Sequence, residues 1–319
     1  MIAPTSATTL LGIEHPVVCA PMAGVAGGRL AAAVSAGGGL GLIGGGYGDR
    51  AWLRREFDEA AGARIGCGFI TWALADRSDL LDEALSHRPV AVLLSFGDPG
   101  PFAATIKAAG AVLICQVQNR GHAEHALHCG ADILVAQGTE AGGHGYGPRS
   151  TFTLVPEIVD VVAARGLRTP VLAAGGVADG RGLAAALMLG AAGVLCGTRF
   201  CNAVEALTTP RARAVLEAAT GDDSCRTTVY DIVRGYRWPP GHTMSVLRND
   251  FTDRWHGAEP DLEAAGDGAV AQYRRAVADA DYRTANVTAG QGAGLVGPTV
   301  PAGEIVAALV GQAAGLLRS

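Results

Sequence analysis

The sequence predicts an α/β fold, a (β/α)8 barrel with an inserted lid or small domain. Three observations favour this fold: eight short apolar runs, Ala-rich amphipathic stretches between them, and a change of composition after residue 207. The chain has 319 residues, enough for one large barrel or for two mid-sized domains. An open doubly wound sheet is the alternative, but eight similar strand–helix units in series favour closure into a barrel.

The apolar runs predict strands that are buried on both faces, because they are continuous where a half-buried strand would alternate. Most of them begin 20 to 25 residues apart, with one wider gap before Val171. This spacing leaves room for one helix between consecutive parallel strands. The predicted strands are residues 17–20, 40–43, 65–70, 90–94, 112–117, 133–136, 171–174 and 194–196.

The stretches between the strands predict helices. Four polar residues are suited to be N-caps: Asp49, Asp76, Asn119 and Asp179. A further amphipathic helix is predicted at 302–317, where it would close the barrel wall. The other predicted helices are residues 49–61, 76–87, 119–129, 153–165 and 179–189.

Residues 208–285 differ in composition from the Ala/Gly-rich remainder. They hold many arginines, two tryptophans (Trp238 and Trp255) and a Pro239-Pro240-Gly241 turn. We interpret this segment as a lid that covers the substrate entrance at one barrel end. Residues 1–207 and 286–319 then form the barrel.

Composition and charge exclude several functional classes. Apolar residues make up 49% and charged residues 17%, which excludes a disordered chain. Lys and Arg number 25 against 30 Asp and Glu, and this mildly acidic balance argues against a nucleic-acid binder. Lys107 is the only lysine, so the chain has no P-loop and offers little for Schiff-base chemistry.

The seven cysteines predict reduced thiols in a cytoplasmic protein, since their number is odd and none forms a CxxC pair. Residues 1–14 hold no basic residue and no long apolar stretch, so we expect no signal peptide. The uncharged span 30–48 contains eight glycines, which favours a break between a helix and a strand over a membrane span.

Residues that follow the predicted strands are candidate site residues, because barrel active sites lie at the carboxyl ends of the strands. Gly175, Gly176, Gly197 and Thr198 follow the last two strands and expose backbone N–H groups, which favours a phosphate site. A GxGxxG match at 39–44 is rejected as a nucleotide fingerprint, since its glycines do not lie between a strand and a helix. Further candidates after strands are Pro21, Met22, Ala23, Gln116, Gln137 and Gly138.

The segment 137–147 is expected to be a flexible, Gly-rich loop on the active face of the barrel. His144 lies in it between glycines, where an imidazole can act as acid or base near neutral pH. Glu140 is close in sequence, and orienting His144 and capping the loop are both open roles for it. We therefore predict His144 as the catalytic residue.

The other histidines do not predict a metal site. His122, His125 and His128 recur every third residue on a predicted helix, which rotates them around its axis. No HExxH motif or carboxylate pattern completes a ligand set, so we expect no metal. His242 and His256 lie in the inserted segment, where positions facing solvent and facing substrate both stay open.

Five motifs resemble the nitronate monooxygenases, formerly called 2-nitropropane dioxygenases. They are Pro21-Met22-Ala23-Gly24, residues 137–144 (QGTEAGGH), 173–179 (AAGGVAD), 189–200 (LGAAGVLCGTRF) and 289–294 (AGQGAG). The resemblance covers about residues 13–200 and the C-terminal helix. It implies a TIM barrel that binds FMN and oxidises alkyl nitronates with O2 to a carbonyl compound and nitrite.

The resemblance also implies roles for single residues. His144 corresponds to the family's catalytic histidine, Met22 would lie under the isoalloxazine, and the FMN phosphate would rest on the glycines and threonine after the last two strands. The residues expected to bind FMN are Pro21, Met22, Ala23, Gln116, Gln137, Gly138, Gly142, Gly143, Gly175, Gly176, Gly197 and Thr198.

Two positions depart from the family pattern. Gln116 stands where some members carry a lysine, and residues 68–72 lack an asparagine that contacts flavin in several members. The substrate is expected to be a small molecule, and a homodimer is among the assemblies that the sequence allows. No nucleic acid or membrane is expected as a partner.

A second reading stays open, because the same Gly-Gly-His loop occurs in the flavin-type enoyl-[acyl-carrier-protein] reductases, which take electrons from NAD(P)H. Their acidic carrier protein would favour a basic entrance. The five arginines available to form one, or to make salt bridges within the lid, are Arg226, Arg234, Arg237, Arg248 and Arg254.

Overall fold

The computed structural model describes residues 2–318 and contains eight parallel strands in a nearly closed barrel. The strands are β1 (Val17–Cys19), β2 (Leu42–Gly46), β3 (Gly66–Ile70), β4 (Ala91–Ser95), β5 (Val112–Val117), β6 (Ile133–Gln137), β8 (Val171–Ala174) and β9 (Gly193–Cys196). β7 (Gly143–Tyr146) belongs to a second sheet of three strands. The barrel order is β1-β9-β8-β6-β5-β4-β3-β2, and a parallel bridge between Val18 and Leu40 joins the two ends. The predicted (β/α)8 barrel is confirmed.

The barrel strands are buried on both faces, which explains their unbroken apolar runs. Val17 and Cys19 pack outward against the helices, while Val18 between them points into the barrel interior. Leu93 and Ile114 fill the same interior, and both are fully buried. Burying one such side chain stabilises the fold by about 1.5–3 kcal/mol, so each face contributes to the stability of the strand.

The helices alternate with the barrel strands, as predicted. They are α1 (Ser6–Leu11), α2 (Gly28–Ala36), α3 (Arg50–Glu59), α4 (Thr71–Leu74), α5 (Ser78–Ser86), α6 (Gly100–Ala108), α7 (Arg120–His128), α8 (Thr151–Ala164), α9 (Gly180–Met188), α10 (Thr198–Cys201) and, at the C-terminus, α15 (Ala302–Leu316). α15 packs against α2 and α9, where Gly180 N donates to Gln312 Oε1 at 2.7 Å. Within residues 2–318, no helix combines the length and apolarity that a membrane crossing requires.

Three of the four predicted N-caps are confirmed. The side chains of Asp49, Asn119 and Asp179 accept hydrogen bonds from the first backbone N–H groups of α3, α7 and α9. The prediction for Asp76 is wrong, since α5 begins two residues later and Arg77 occupies the cap position. α8 begins two residues earlier than predicted, at Thr151, where a carboxylate outside the helix accepts from the first backbone N–H group.

The inserted segment builds a second sheet with its own core. It contains α11 (Pro210–Ala218), β10 (Ser224–Thr227), α12 (Val229–Arg234), β11 (His242–Leu247), α13 (Asp250–Trp255) and α14 (Glu259–Ala278). The sheet order is β10-β11-β7, antiparallel throughout, and β7 (Gly143–Tyr146) lies within the segment expected to be a flexible loop. That expectation is corrected, because backbone pairing with β11 holds these glycine-flanked residues extended.

Candidate active site

The carboxyl ends of the barrel strands open into a cavity of about 520 Å³. All but one of the predicted site residues line it, so the strand-end rule brought together residues that are far apart in sequence. Gly138 is the exception, and a Cβ there would overlap Thr151 Oγ1. The predicted residues that line the cavity are Pro21, Met22, Ala23, Gln116, Gln137, Gly142, Gly143, His144, Gly175, Gly176, Gly197 and Thr198.

Three glycines and a threonine follow the ends of β8 and β9 and form what we call the cradle: Gly175, Gly176, Gly197 and Thr198. Gly175 and Gly176 have φ of 111° and 74°, a conformation that residues with a Cβ rarely adopt. Thr198 Oγ1 accepts a hydrogen bond from Gly290 N at 3.1 Å, which leaves its own O–H as a donor. Backbone N–H groups and a hydroxyl donor form a set that suits a phosphate group.

Three glutamines form a hydrogen-bonded cluster that joins the end of β6 to β7. Gln137 Oε1 accepts from Gln116 Nε2 at 3.1 Å and from Gln118 Nε2 at 3.0 Å, while Gln137 Nε2 donates to the carbonyl oxygen of His144 at 3.0 Å. The amide of Gln137 is therefore fixed in one orientation. It ties β7 to the barrel.

His144 is paired with Asp231 of α12, 87 residues further along the chain. Its Nε2 lies 2.9 Å and 3.0 Å from the two carboxyl oxygens of Asp231. The two side chains are 8% and 5% exposed, so this pair is shielded from water. Because carboxylate oxygens only accept, Nε2 carries the hydrogen, and Nδ1 of the neutral ring keeps its lone pair.

The pKa of His144 lies below its ordinary value of 6.5. Burial is the main cause, since it disfavours the charged imidazolium, and the nearby Arg234 acts in the same direction. Asp231 opposes both through its hydrogen bond and its charge. At neutral pH His144 is therefore a neutral imidazole with one nitrogen able to take a proton.

An aromatic wall surrounds His144. The indole of Trp238 stacks on the imidazole with ring centroids 3.6 Å apart and planes 9° from parallel. Trp238 Nε1 donates to the hydroxyl of Tyr47 at 3.0 Å, and Phe96 stands edge-on to Trp238 at 5.1 Å. Phe96 has a φ of 62°, a left-handed conformation that costs about 1–3 kcal/mol for a side chain of this kind.

Arg234 supplies a positive charge to the same cavity. Its guanidinium carbon lies 4.7 Å from the ring centroid of Tyr236 and 5.4 Å from that of Tyr47, and these two rings stack 3.6 Å apart. Within residues 2–318 it forms no ion pair under a 4.0 Å limit. A cation held on aromatic faces beside a base favours an anionic or strongly polarised ligand.

A family model for nitronate monooxygenase matches residues 5–63 and 71–312. The chain belongs to the nitronate monooxygenase family. Members of this family are flavin-dependent oxidoreductases. The match includes both the cradle at the ends of β8 and β9 and the strand that carries His144.

Individual relatives and solved structures agree with this assignment. The nitronate monooxygenase of Pseudomonas aeruginosa is 34% identical over 97% of this chain and 99% of its own. The structure of FabK from Thermotoga maritima has a TM-score of 0.85 at 31% identity and covers 99% of this chain and 98% of its own. A Mycobacterium tuberculosis relative, (3aS,4S,5R,7aS)-5-hydroxy-7a-methyl-1-oxo-octahydro-1H-indene-4-carboxyl-CoA dehydrogenase, is 41% identical over 61% of this chain, and the match spans 55% of that relative's length.

The sequence left two roles open for Glu140, orienting His144 and capping the loop, and the structure shows a capping role. Its carboxylate accepts from Thr151 N and from Thr151 Oγ1, both at 2.9 Å, and so caps α8. Asp231 takes the position beside His144 instead. Gly138 and Gly175 leave the room that this cap needs, since a Cβ on either would lie within 2.7 Å of Thr151 Oγ1.

Of the five arginines proposed for a basic entrance, Arg234 alone lines the cavity. Arg226 donates to the backbone carbonyls of Thr139, Ala141 and Thr243 and thereby supports the segment before β7. Arg248 lies 3.9 Å from Asp253, and Arg254 covers the ring of Trp255 at 4.3 Å. The remaining one, Arg237, is exposed. Arg248 and Arg254 thus make their contacts within the inserted segment itself.

Sequence reasoning missed four residues of this site, Tyr47, Phe96, Asp231 and Trp238, and it named Arg234 only as one of five arginines without singling it out. Tyr47 and Phe96 directly follow β2 and β4, so the strand-end rule could have found them. Asp231, Arg234 and Trp238 lie in the inserted segment, and no local pattern shows which of its residues face the barrel.

The titration of His144 tests the charge balance at this pair. We expect its midpoint, followed by NMR on the ring protons, to lie below 6.5. In Asp231→Asn the midpoint should fall further, because the carboxylate that stabilises the imidazolium is gone. Asp231→Glu, which keeps the charge, is the control and should stay closer to the parent. A midpoint that rises in Asp231→Asn would contradict the paired geometry.

Proposed function

We propose that this protein is an FMN-dependent nitronate monooxygenase that oxidises alkyl nitronates with O2 to a carbonyl compound and nitrite. The observation that carries the proposal is the buried His144–Asp231 pair on the wall of a glycine-lined cavity, in a chain of the nitronate monooxygenase family. A base beside the cation of Arg234 suits a reaction in which a neutral nitroalkane loses a proton and becomes an anion.

FMN fits the residues that are present. It carries one phosphate, and the cradle of Gly175, Gly176, Gly197 and Thr198 offers donors for one such group. Met22 and Gln116 line the same cavity, and we expect them to contact the isoalloxazine there. When bound, FMN would accept electrons from the substrate and pass them to O2.

The chain's own residues handle the proton and the charge. Nδ1 of His144 would take a proton from the carbon next to the nitro group, and Asp231 would stabilise the imidazolium that forms. Arg234 would hold the negative nitronate oxygens. The stacked Trp238 and the edge of Phe96 keep water from the reacting atoms.

FMN occupancy tests the cradle. Thr198→Asp should lower the flavin content per chain, because a carboxylate repels the phosphate. Thr198→Asn, of the same size without the charge, is the matched control and should lose less. Absorbance and mass analysis of the heat-released cofactor measure both. Release of FAD would contradict the proposal, since the single cradle leaves no place for an adenylate half.

Loss of the base tests the role of His144. The His144→Ala variant should still bind FMN. Its rate with neutral nitroethane should fall by about 100- to 10,000-fold, which is the usual contribution of general acid–base catalysis. A preformed nitronate needs no deprotonation and should lose less. Equal losses on both substrates would show instead that His144 positions the anion. Full activity on both would make it structural.

Arg234 should determine how the anion binds. Arg234→Met should raise the KM for propyl nitronate roughly tenfold, which corresponds to about 1.4 kcal/mol for one lost charge-assisted contact. The KM for neutral nitroethane should change less. Arg237→Met removes an exposed arginine of the same segment and is expected to leave both values unchanged. A uniform change with both substrates would speak against a charge-specific role.

We infer that residues 208–285 cover the substrate entrance, because Arg234, Trp238 and Met244 of this segment line the cavity. Nitrate, a planar anion that is neither deprotonated nor oxidised here, should slow tryptic cleavage at the exposed Arg237. Cleavage at Arg168, exposed in the connection between α8 and β8, serves as the internal control. If nitrate leaves both sites equally sensitive, the segment is a fixed wall of the cavity and not a lid.

The second candidate function is an NAD(P)H-dependent flavin reductase acting on enoyl thioesters. The structural likeness to FabK over 99% of the chain favours it. The scarcity of arginines at the cavity is less favourable, because an acidic carrier protein calls for a basic entrance. Anaerobic mixing with either propyl nitronate or NADPH separates the two. Bleaching of the flavin by nitronate alone supports the monooxygenase, and bleaching by NADPH alone supports the reductase.

A further inference from the structure

A second cluster of chemically competent side chains lies outside the cavity. Asp98 follows β4, His125 lies in α7 and Cys129 is the C-cap residue of that helix, and one ligand atom of each lies within 4.8 Å of the other two. His125 Nε2 is 2.7 Å from Asp98 Oδ1 and 3.7 Å from Cys129 Sγ. The structure therefore gives His125 the carboxylate partner that the sequence alone did not show.

The local fold brings the three groups together. His125 and Cys129 are four residues apart, so they project from the same side of the helix. Asp98 Oδ1 also accepts from Gly100 N at 2.9 Å, which fixes the carboxylate at the start of α6. This hydrogen bond holds the carboxylate in place next to the imidazole and the thiol.

Gly100 keeps the space in front of these ligand atoms open. A Cβ at this position would lie 3.1 Å from Asp98 Oδ1 and 3.6 Å from Cys129 Sγ. The side chains of Asp98 and His125 are 60% and 52% exposed, so an ion can reach them directly from solvent. The cluster is accessible without any movement of the backbone.

We propose that Asp98, His125 and Cys129 bind a divalent transition-metal ion of the zinc type, with water as the fourth ligand. Thiolate, imidazole and carboxylate are the ligand types that Zn2+ takes in four-coordinate sites. Mg2+ and Ca2+ prefer oxygen ligands throughout and are excluded by the sulfur and nitrogen donors. Metal–ligand distances of about 2.0–2.3 Å place tetrahedral ligand atoms roughly 3.3–3.8 Å apart. Cys129 Sγ and His125 Nε2 already have this spacing. His125 Nε2 and Asp98 Oδ1 are closer, so binding of the ion would have to increase the distance between them.

Metal binding would release the proton of the Cys129 thiol. Partial burial and the charge of Asp98 raise the pKa of the Cys129 thiol, so the sulfur keeps its proton without a cation. The ion displaces that proton and takes the sulfur as a thiolate. The hydrogen bond between His125 and Asp98 is exchanged for two bonds to the metal.

Co2+ is the probe for this site, because a thiolate ligand gives a sulfur-to-cobalt charge-transfer band that imidazole and carboxylate cannot produce. The full-length protein, freed of metal with EDTA, should take up one Co2+ per chain with this band, and Zn2+ should displace it. Cys129→Ser should abolish the band, and His125→Gln should weaken binding at least tenfold. His128→Gln, exposed on the same helix, is the control and should behave as the parent.

Two outcomes of the cobalt experiment would contradict the proposed site. Uptake without the charge-transfer band, or a band that survives in Cys129→Ser, would overturn the proposal. The other six cysteines are buried, so they do not supply an accessible thiolate in their place. Because the readout is metal binding, its result is independent of FMN binding and of nitronate oxidation.

Discussion

The antiparallel pairing of β7 with β11 is the constraint on which the site depends. It places Met244 opposite His144 and Thr243 opposite Gly145, so the backbone of the catalytic candidate is held in an extended strand. Gln137 from the barrel binds the carbonyl of His144 from the other side. Without this pairing, residues 142–147 would be a glycine-rich loop with no fixed orientation. The imidazole is thus positioned jointly by the barrel and by the inserted segment.

Burial and partner charges oppose each other at this position. Removing an imidazole from water lowers its pKa, and a neighbouring guanidinium lowers it further. The carboxylate of Asp231 limits this effect, so the ring stays a usable base and does not lose its proton affinity altogether. The same carboxylate fixes the tautomer, because Nε2 must donate to it and only Nδ1 is left to accept. Charge and orientation are therefore set by one hydrogen-bonded pair.

The barrel could be predicted from sequence because its signals are local. Strands such as Val112–Val117 are buried on both faces and read as unbroken apolar runs, and Asp49 and Asn119 mark helix starts within a few residues. The glycines after β8 and β9 likewise follow from strand position alone. Asp231 could not be found in this way, since 87 residues separate it from His144 and only the pairing of β7 with β11 joins them. β7 itself has a weak strand pattern, Gly-His-Gly-Tyr, and its conformation is imposed by tertiary contacts.

The two parts of the chain contribute different chemistry to one cavity. The cradle comes from β8, β9 and α10 of the barrel, whereas the partner of His144, the guanidinium of Arg234 and the stacked indole come from the short stretch between Asp231 and Trp238. Under the proposed function, a substitution in that stretch would change charge and shape beside the substrate and leave the donors after β8 and β9 intact. On that proposal, fold and cofactor site can persist while the substrate changes, because the rings of this stretch contact the barrel at Tyr47 and Phe96, which follow the ends of β2 and β4. For this reason family membership is informative about the cofactor, and the residues from Asp231 to Trp238 are where the choice of substrate has to be sought.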